Sequence, residues 1–198
     1  MVEIVIATRN PKKFRELKAL LAVRGLRWRS LTDFPRLSPV RETGRTFQEN
    51  ARKKALAAAR ATGGLAVADD SGLEVRALSG GPGVRSARFA GRHGNDHANN
   101  AKLLRLLEGL PPSRRVARFR CVLALASPNE VLAVTEGTLA GRIAKTPRGH
   151  RGFGYDPIFI VPRLGKTVAQ LPAAVKNRIS HRAQAARRLQ RVLRRLTR

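Results

Sequence analysis

Apolar positions change their period along the chain, and the changes mark out elements. Glu3–Ala7 alternates as a strand. Asn10 suits a helix N-cap and Pro11 the first helical position, and Phe14, Leu17 and Leu21 then recur at helical spacing to about Leu21. Leu26–Leu31 alternates again as a second strand. Thr46-Phe47-Gln48-Glu49 reads as a capping box opening a helix to about Thr62, ended by Gly63-Gly64. That cap accounts fully for Glu49. Ala51, Ala55, Ala57, Ala58 and Ala59 predict close packing on a sheet, with Asn50 and Lys54 one turn apart. Leu65–Ala68 is a short apolar run, the mark of a buried strand, and Asp69-Asp70-Ser71-Gly72 closes it with turn formers.

Leu73–Leu78 predicts a further strand, followed by a Ser79–Gly83 loop. Asn95 or Asp96 caps a helix carrying Leu103, Leu104, Leu106 and Leu107, stopped by Gly109 and Pro111-Pro112. Residues 115–126 and 131–139 flank Ser127-Pro128-Asn129-Glu130 as a long antiparallel hairpin. A glycine-rich loop, Arg148–Pro157, leads into the apolar strand Ile158–Val161. After Lys176–Arg182 the pattern predicts a helix to the C-terminus, with Ser180 as its cap. Its buried face is Ala183, Ala186, Leu189, Val192, Leu193 and Leu196.

With 198 residues and 42% hydrophobic content, the chain can build one sizeable core or two lobes sharing one. No apolar run approaches the length of a membrane span. The start, Met1–Ala7, has no basic leader and does not read as a signal peptide. A single cysteine, Cys121, excludes an internal disulfide and fits a reducing cytoplasm. Charge changes the picture more. Forty basic residues against thirteen acidic ones give +27, a field that attracts nucleotides, nucleic acid and other polyanions. The arginines are spread over every element and aromatics are only 5%, whereas a dedicated nucleic-acid surface gathers basic residues among aromatics. The charge therefore predicts an anionic partner, with nucleic acid held only non-specifically.

Where acids are this scarce, Asp69 and Asp70 side by side stand out. At a strand end, one carboxylate can hold a hard cation while another orients or deprotonates a water; the same four residues also make an ordinary turn. The strand–loop–helix start aims backbone N–H groups upward at Thr8–Lys13, a seat for phosphate to which Lys13 adds charge, or simply a capped helix. No Walker A glycine pattern is present. In the loop Gly152–Pro157, Tyr155, the chain's one tyrosine, can stack on a planar ring while Asp156 bonds its edge, or can pack as a turn aromatic. His181 and Arg182 fall at the positive end of the last helix. His93 and His97 have no cysteine or carboxylate at metal-ligand spacing and read as surface or packing residues.

Taken together, Thr8-Arg9-Asn10-Pro11-Lys12-Lys13, Phe47-Gln48-Glu49-Asn50-Ala51 with Lys54, Ala68-Asp69-Asp70-Ser71-Gly72-Leu73, Gly152-Phe153-Gly154-Tyr155-Asp156-Pro157 and Ile179-Ser180-His181-Arg182 form a joint pattern. In it the chain resembles the inosine triphosphate pyrophosphatase family, specifically its bacterial members acting on noncanonical purine nucleotides. The resemblance implies an α/β fold: an elongated mixed β-sheet with flanking helices, and two lobes around a central cleft that the sequence does not separate into domains. It implies hydrolysis of dITP, ITP and XTP between the α- and β-phosphates to the monophosphate and pyrophosphate, clearing deaminated purines from the nucleotide pool. It also implies Mg²⁺, a homodimer and a cytoplasmic setting.

Carried over residue by residue, the resemblance makes Asp70 the general base and a metal ligand, supported by Asp69. Thr8, Arg9, Asn10, Pro11, Lys12 and Lys13 grip the triphosphate, and Ser71 touches the substrate. Phe153, Gly154, Tyr155 and Asp156 hold the purine, and Lys176, His181 and Arg182 reach its 6-oxo side or the phosphates. Two positions depart from the family pattern. Arg41 stands where the first of two acids is usual, leaving Glu42 as the second metal candidate, and Val175 stands where a Glu usually precedes the lysine.

Overall fold

The structure, a computed structural model, describes residues 1–38 and 40–197. Its elements are β1 (Val2–Ile6), α1 (Pro11–Leu20), β2 (Leu26–Ser30), α2 (Phe47–Thr62), β3 (Leu65–Val75), α3 (Asp96–Leu106), β4 (Val116–Ala126), β5 (Val131–Ile143), β6 (Phe159–Val161), β7 (Lys166–Thr167), α4 (Ala173–Ile179) and α5 (His181–Leu193). Seven strands hydrogen-bond in the order β2-β1-β3-β4-β5-β6-β7. β1 is parallel to β2 and β3, and α1 and α2 supply the crossovers that parallel neighbours require. β6 is antiparallel to β5 and to β7, so the sheet is mixed.

The chain divides into two compact units that interleave in sequence. One comprises residues 1–70, 121–137 and 181–198; the other comprises 71–120 and 138–180. In the first, Ile4, Ile6 and Val67 from alternate strand positions pack with Leu17 and Leu21 around α1 and with Ala185, Ala186, Leu189 and Leu193 of α5. α2 also packs on β1, and Ala51, Ala55, Ala58 and Ala59 are its buried positions. Covered strands of this kind read as nearly continuous apolar runs, which is why Ala66, Val67 and Ala68 are all fully buried. In the second unit, Leu73, Val75, Leu103, Leu107, Phe119, Ile158 and Phe159 form a separate core, with the Phe119 and Phe159 rings stacked 4.2 Å apart.

Several boundaries differ from the sequence expectation. Asp69–Gly72 is not a turn: β3 runs unbroken from Leu65 to Val75. Its partner β1 pairs only with Leu65–Val67, and the last bond on that side is Ala7 N–H to the Val67 carbonyl at 2.7 Å. β4 lies along the other side and carries the strand onward through the turn formers. The predicted strand ends at Val75, because Arg76–Leu78 tightens into a 3₁₀ turn. Ile158 likewise belongs to a 3₁₀ turn, and the strand starts at Phe159. The hairpin is longer than its pattern, since β5 reaches Ile143.

The last helix, α5, starts at His181 directly after extended Ser180 (ψ 156°), and a short helix that the pattern does not predict, α4, precedes it. α5 stops at Leu193, so Leu196 lies past its end and is exposed rather than buried. The capping box of α2 is half as predicted. Thr46 Oγ1 accepts the Glu49 N–H at 3.1 Å, but Glu49 Oε2 reaches the N–H of Arg45 at 2.8 Å, one residue early.

Candidate active site

Because Asp69 and Asp70 lie in a continuous strand, their side chains point to opposite faces. Asp69 shares the parity of Val67 and turns toward α1 and α5. Its Oδ1 accepts Lys13 Nζ at 2.8 Å; its Oδ2 accepts Arg182 Nε at 3.0 Å and the Cys121 thiol at 3.2 Å. Arg182 also donates to Glu16 Oε2 at 3.1 Å. Burial alone would raise the Asp69 carboxyl, but Arg182 and Lys13 beside it hold it well below the usual carboxylate range. Burial and the same carboxylate push the Cys121 thiol well up. Asp69 is thus a carboxylate bonded on both oxygens to Lys13, Arg182 and Cys121.

Asp70 turns the other way, toward α2. Lys54 Nζ donates to its Oδ1 at 2.9 Å and to Glu42 Oε1 at 2.8 Å. Asp70 Oδ2 is buried and has no hydrogen-bond partner among the described residues. Burial raises the Asp70 carboxyl; Lys54 opposes the rise and Glu42 adds to it. Burial would lower the Lys54 ammonium, yet the two carboxylates keep it above its ordinary value. The two adjacent carboxylates are thus driven in opposite directions, Asp69 down and Asp70 up.

Glu42 is held in place by α2. Asn50 Oδ1 accepts the Gly44 N–H at 2.8 Å, and Lys53 donates to Thr43 Oγ1 at 2.8 Å. A Cβ on Gly44 would sit 2.6 Å from Asn50 Oδ1, so this stretch needs glycine there. Glu42 and Asp70 are two carboxylates around one lysine. No group of three His, Cys, Asp or Glu residues able to hold a metal occurs among the described residues.

Asn10 caps α1 as expected, but its Oδ1 takes the N–H groups of Lys12 and Lys13 at 2.9 and 3.2 Å. The Lys13 ammonium is taken by Asp69. Thr8 Oγ1 accepts the Asn10 N–H at 3.1 Å, and Arg9 donates to the Phe34 carbonyl at 3.5 Å and to that of Leu37. Pro11 and Lys12 are exposed at the start of α1.

The second unit carries the aromatic loop. Asp156 is buried, and its Oδ2 accepts the Phe153 N–H at 3.0 Å and Lys176 Nζ at 2.7 Å. The Lys176 ammonium also lies 4.8 Å from the Phe153 ring centre. Gly152 sits at φ +81°, and a Cβ there would fall onto Asp156 Oδ2; both facts exclude a side chain. Tyr155 is buried in the unit's core and donates to the Ser86 carbonyl at 2.9 Å, with burial and then Asp96 raising its hydroxyl pKa. Phe153, half-buried, is therefore the loop's open aromatic. Ser71 lies within β3 and is half-buried.

A family profile described as the Ham1 family matches residues 4–192 of this sequence. The chain belongs to the Ham1 family. Among Ham1 relatives, the dITP/XTP pyrophosphatase of Geobacillus kaustophilus is 56% identical over 189 residues, covering 96% of this chain and 93% of that one. The dITP/XTP pyrophosphatase of Bacillus subtilis is 48% identical, covering 98% of each. A HAM1 protein from Coxiella burnetii superposes with a TM-score of 0.88 at 45% identity, covering 98% of each chain. The Ham1 protein of Staphylococcus aureus gives 0.86 at 45% identity, over 96% of this chain and 97% of that one.

Within the Ham1 pattern, the structure brings Asp69, Lys13 and Arg182 into one network, Glu42 and Asp70 around Lys54 into a second, and Phe153, Asp156 and Lys176 into a third. His181 is buried at the head of α5, and Gly137 leaves no room for a Cβ against its carbonyl. Arg182 is 2% exposed and bound to Asp69 and Glu16. Sequence reasoning gave no site role to Lys54, Glu16, Cys121 or Asn100, and offered Asp96 only as a helix cap. A signal existed for two of them: Lys54 stands one turn from Asn50, and Glu16 is the lone acid of α1.

Proposed function

We propose that this chain hydrolyses noncanonical purine nucleoside triphosphates (dITP, ITP and XTP) between the α- and β-phosphates, releasing the monophosphate and pyrophosphate. Near-half or better identity, over almost the whole chain, to relatives named dITP/XTP pyrophosphatase supports this reading. The observation that carries it is Asp70. Its raised carboxyl presents one unbonded, buried oxygen, the form a general base needs. Water attacks phosphorus at the α–β bridge and gives its proton to Asp70 Oδ2; the bridging P–O bond breaks and pyrophosphate leaves.

The carboxylates of Glu42 and Asp70, drawn together on Lys54, are the donor set Mg²⁺ takes, one or two carboxylates with its shell completed by water and substrate phosphates, while Asp70 Oδ2 is kept for the proton. When bound, Mg²⁺ would neutralise the triphosphate charge. Lys54 holds the two carboxylates together, and Asp69 fixes Lys13 and Arg182. Thr8, Arg9, Asn10, Pro11 and Lys12 serve the phosphate end.

Phe153 stacks on the purine, Asp156 and Lys176 read its edge, and Gly154 and Tyr155 shape the loop. A 6-oxo group accepts hydrogen bonds where adenine's amino group donates, so a donor such as Lys176 disfavours adenine. Ser71 touches the substrate, and His181 contributes from the start of α5. Residues 1–198 act as one pyrophosphatase domain in a cytoplasmic homodimer. No helix among the described residues is long and apolar enough to cross a membrane. The +27 charge supports a salt-sensitive, non-specific hold on nucleic acid beside this activity.

Asp70→Asn tests the assignment. Loss of a general base lowers turnover by about 100-fold or more; near-normal pyrophosphate release from that variant would refute it.

A further inference from the structure

α3 buries amides in its first turns. Asn99 is 2% exposed and Asn100 9%, although amide side chains are mostly found at the surface. Their partners account for this. Asn99 Oδ1 accepts the Ala90 N–H at 2.7 Å and its Nδ2 donates to the Ala87 carbonyl at 3.4 Å, which fixes the segment before the helix. Asn100 and Asp96 engage a different segment. Asp96 Oδ2 accepts the Gly154 N–H at 2.7 Å, and Asn100 Nδ2 donates to the Gly154 carbonyl at 3.0 Å. Residues four apart share a helix face. One face of α3 therefore holds both backbone polar groups of a single glycine.

That glycine lies between Phe153 and Tyr155 at φ +63°, and Gly152 just before it is at φ +81°. Two glycines in left-handed conformation flank the open aromatic. Glycine loses more conformational freedom on ordering than any other residue. A loop left loose would have to be ordered when substrate binds, and that cost would be subtracted from affinity. The bonds from α3 order it beforehand, with Phe153 N–H already on Asp156.

We infer that Asp96 and Asn100 are positioning residues for purine recognition, acting through Gly154 to hold Phe153 and Asp156 ready for the base. This rests on the base-reading role assigned to those two residues above. Asp70 is not on the loop, so losing the clamp raises KM and leaves kcat nearly unchanged.

Steady-state hydrolysis of dITP by the full-length enzyme tests this with Asp96→Ala, Asp96→Asn and Asn100→Asp, beside Phe153→Ala. Asp96 is also an acid in the first turn of α3, which favours the helix dipole. Asp96→Asn loses that charge but keeps an acceptor for Gly154, so it separates the two roles. Asp96→Ala and Asn100→Asp are expected to raise KM about tenfold, the size of one hydrogen bond to a charged or buried group, with kcat within about twofold. Asp96→Asn is expected to return KM to within about twofold of the parent. The inference is overturned if Asp96→Ala leaves KM unchanged while Phe153→Ala raises it, or if Asp96→Asn is as impaired as Asp96→Ala. It is also overturned if kcat and the unfolding midpoint fall together with the rise in KM. A Phe153→Ala variant with unchanged KM instead overturns the base-reading role itself.

Discussion

Removing the charge of Asp69 should destabilise the protein more than any single change at the proposed base Asp70. The side chain of Asp69 is 1% exposed and that of Arg182 2%, so neither is screened by water. Asp69→Asn keeps the shape but leaves the buried guanidinium without its nearer carboxylate. Breaking a buried pair from one side costs about 3–5 kcal/mol. Here the low end applies, about 3 kcal/mol, because Arg182 retains Glu16 at 3.1 Å and Lys13, 24% exposed, can rehydrate. For a chain of this length that corresponds to a fall of about 6–12 °C in the melting midpoint.

The pH dependence has a definite sign. The Asp69 carboxyl lies well below its unfolded value. Its contribution is therefore full above an unfolded pKa of about 4 and is lost as pH falls below that. Asp69→Asn should flatten this acid-side loss. Urea unfolding at pH 7 and at successively lower pH measures both effects, and Arg182→Met alone and combined gives the coupling. A cost under about 1 kcal/mol, or strictly additive variants, would refute the claim that Asp69 is the anchor of this network.

Two further outcomes follow from the site. In Lys54→Met the lowering influence on Asp70 disappears, so the acid limb of the kcat/KM profile should move to higher pH while the rate falls; an unmoved limb means that Asp70 is not the titrating base. Gly152→Ala should force Asp156 off Phe153 N–H and Lys176, raising KM for dITP roughly tenfold with little change in kcat; parent-like KM would show that the loop does not read the base.

Local signals were legible where one element decided its own conformation. Asn10-Pro11 announced α1, Thr46 announced α2, and Ser127–Glu130 announced the hairpin. Acid scarcity pointed to Asp69 and Asp70, yet it could not tell them apart. Their different fates come from strand continuity, which sends them to opposite faces, and that continuity depends on β4, distant in sequence. The turn formers at 69–72 therefore misled. Lys54 was hidden for the same reason: its partners come from the 42–44 stretch and from β3. α4 escaped notice because its apolar face is only Val175 and Ile179, one turn apart and only partly buried, too short a stripe to mark a helix. The choice between Phe153 and Tyr155 as the open aromatic needed the packing of the second core, which encloses Tyr155.

Pyrophosphate release from dITP, XTP, dGTP and dATP, with Mg²⁺, at matched concentration and moderate salt, tests the central claim most directly. Strong release from dITP and XTP, with little from dGTP and dATP, is the predicted result. No release from any of the four would contradict the assignment of Asp70 as the base of a nucleotide pyrophosphatase, and equal release from all four would contradict base reading by Phe153, Asp156 and Lys176.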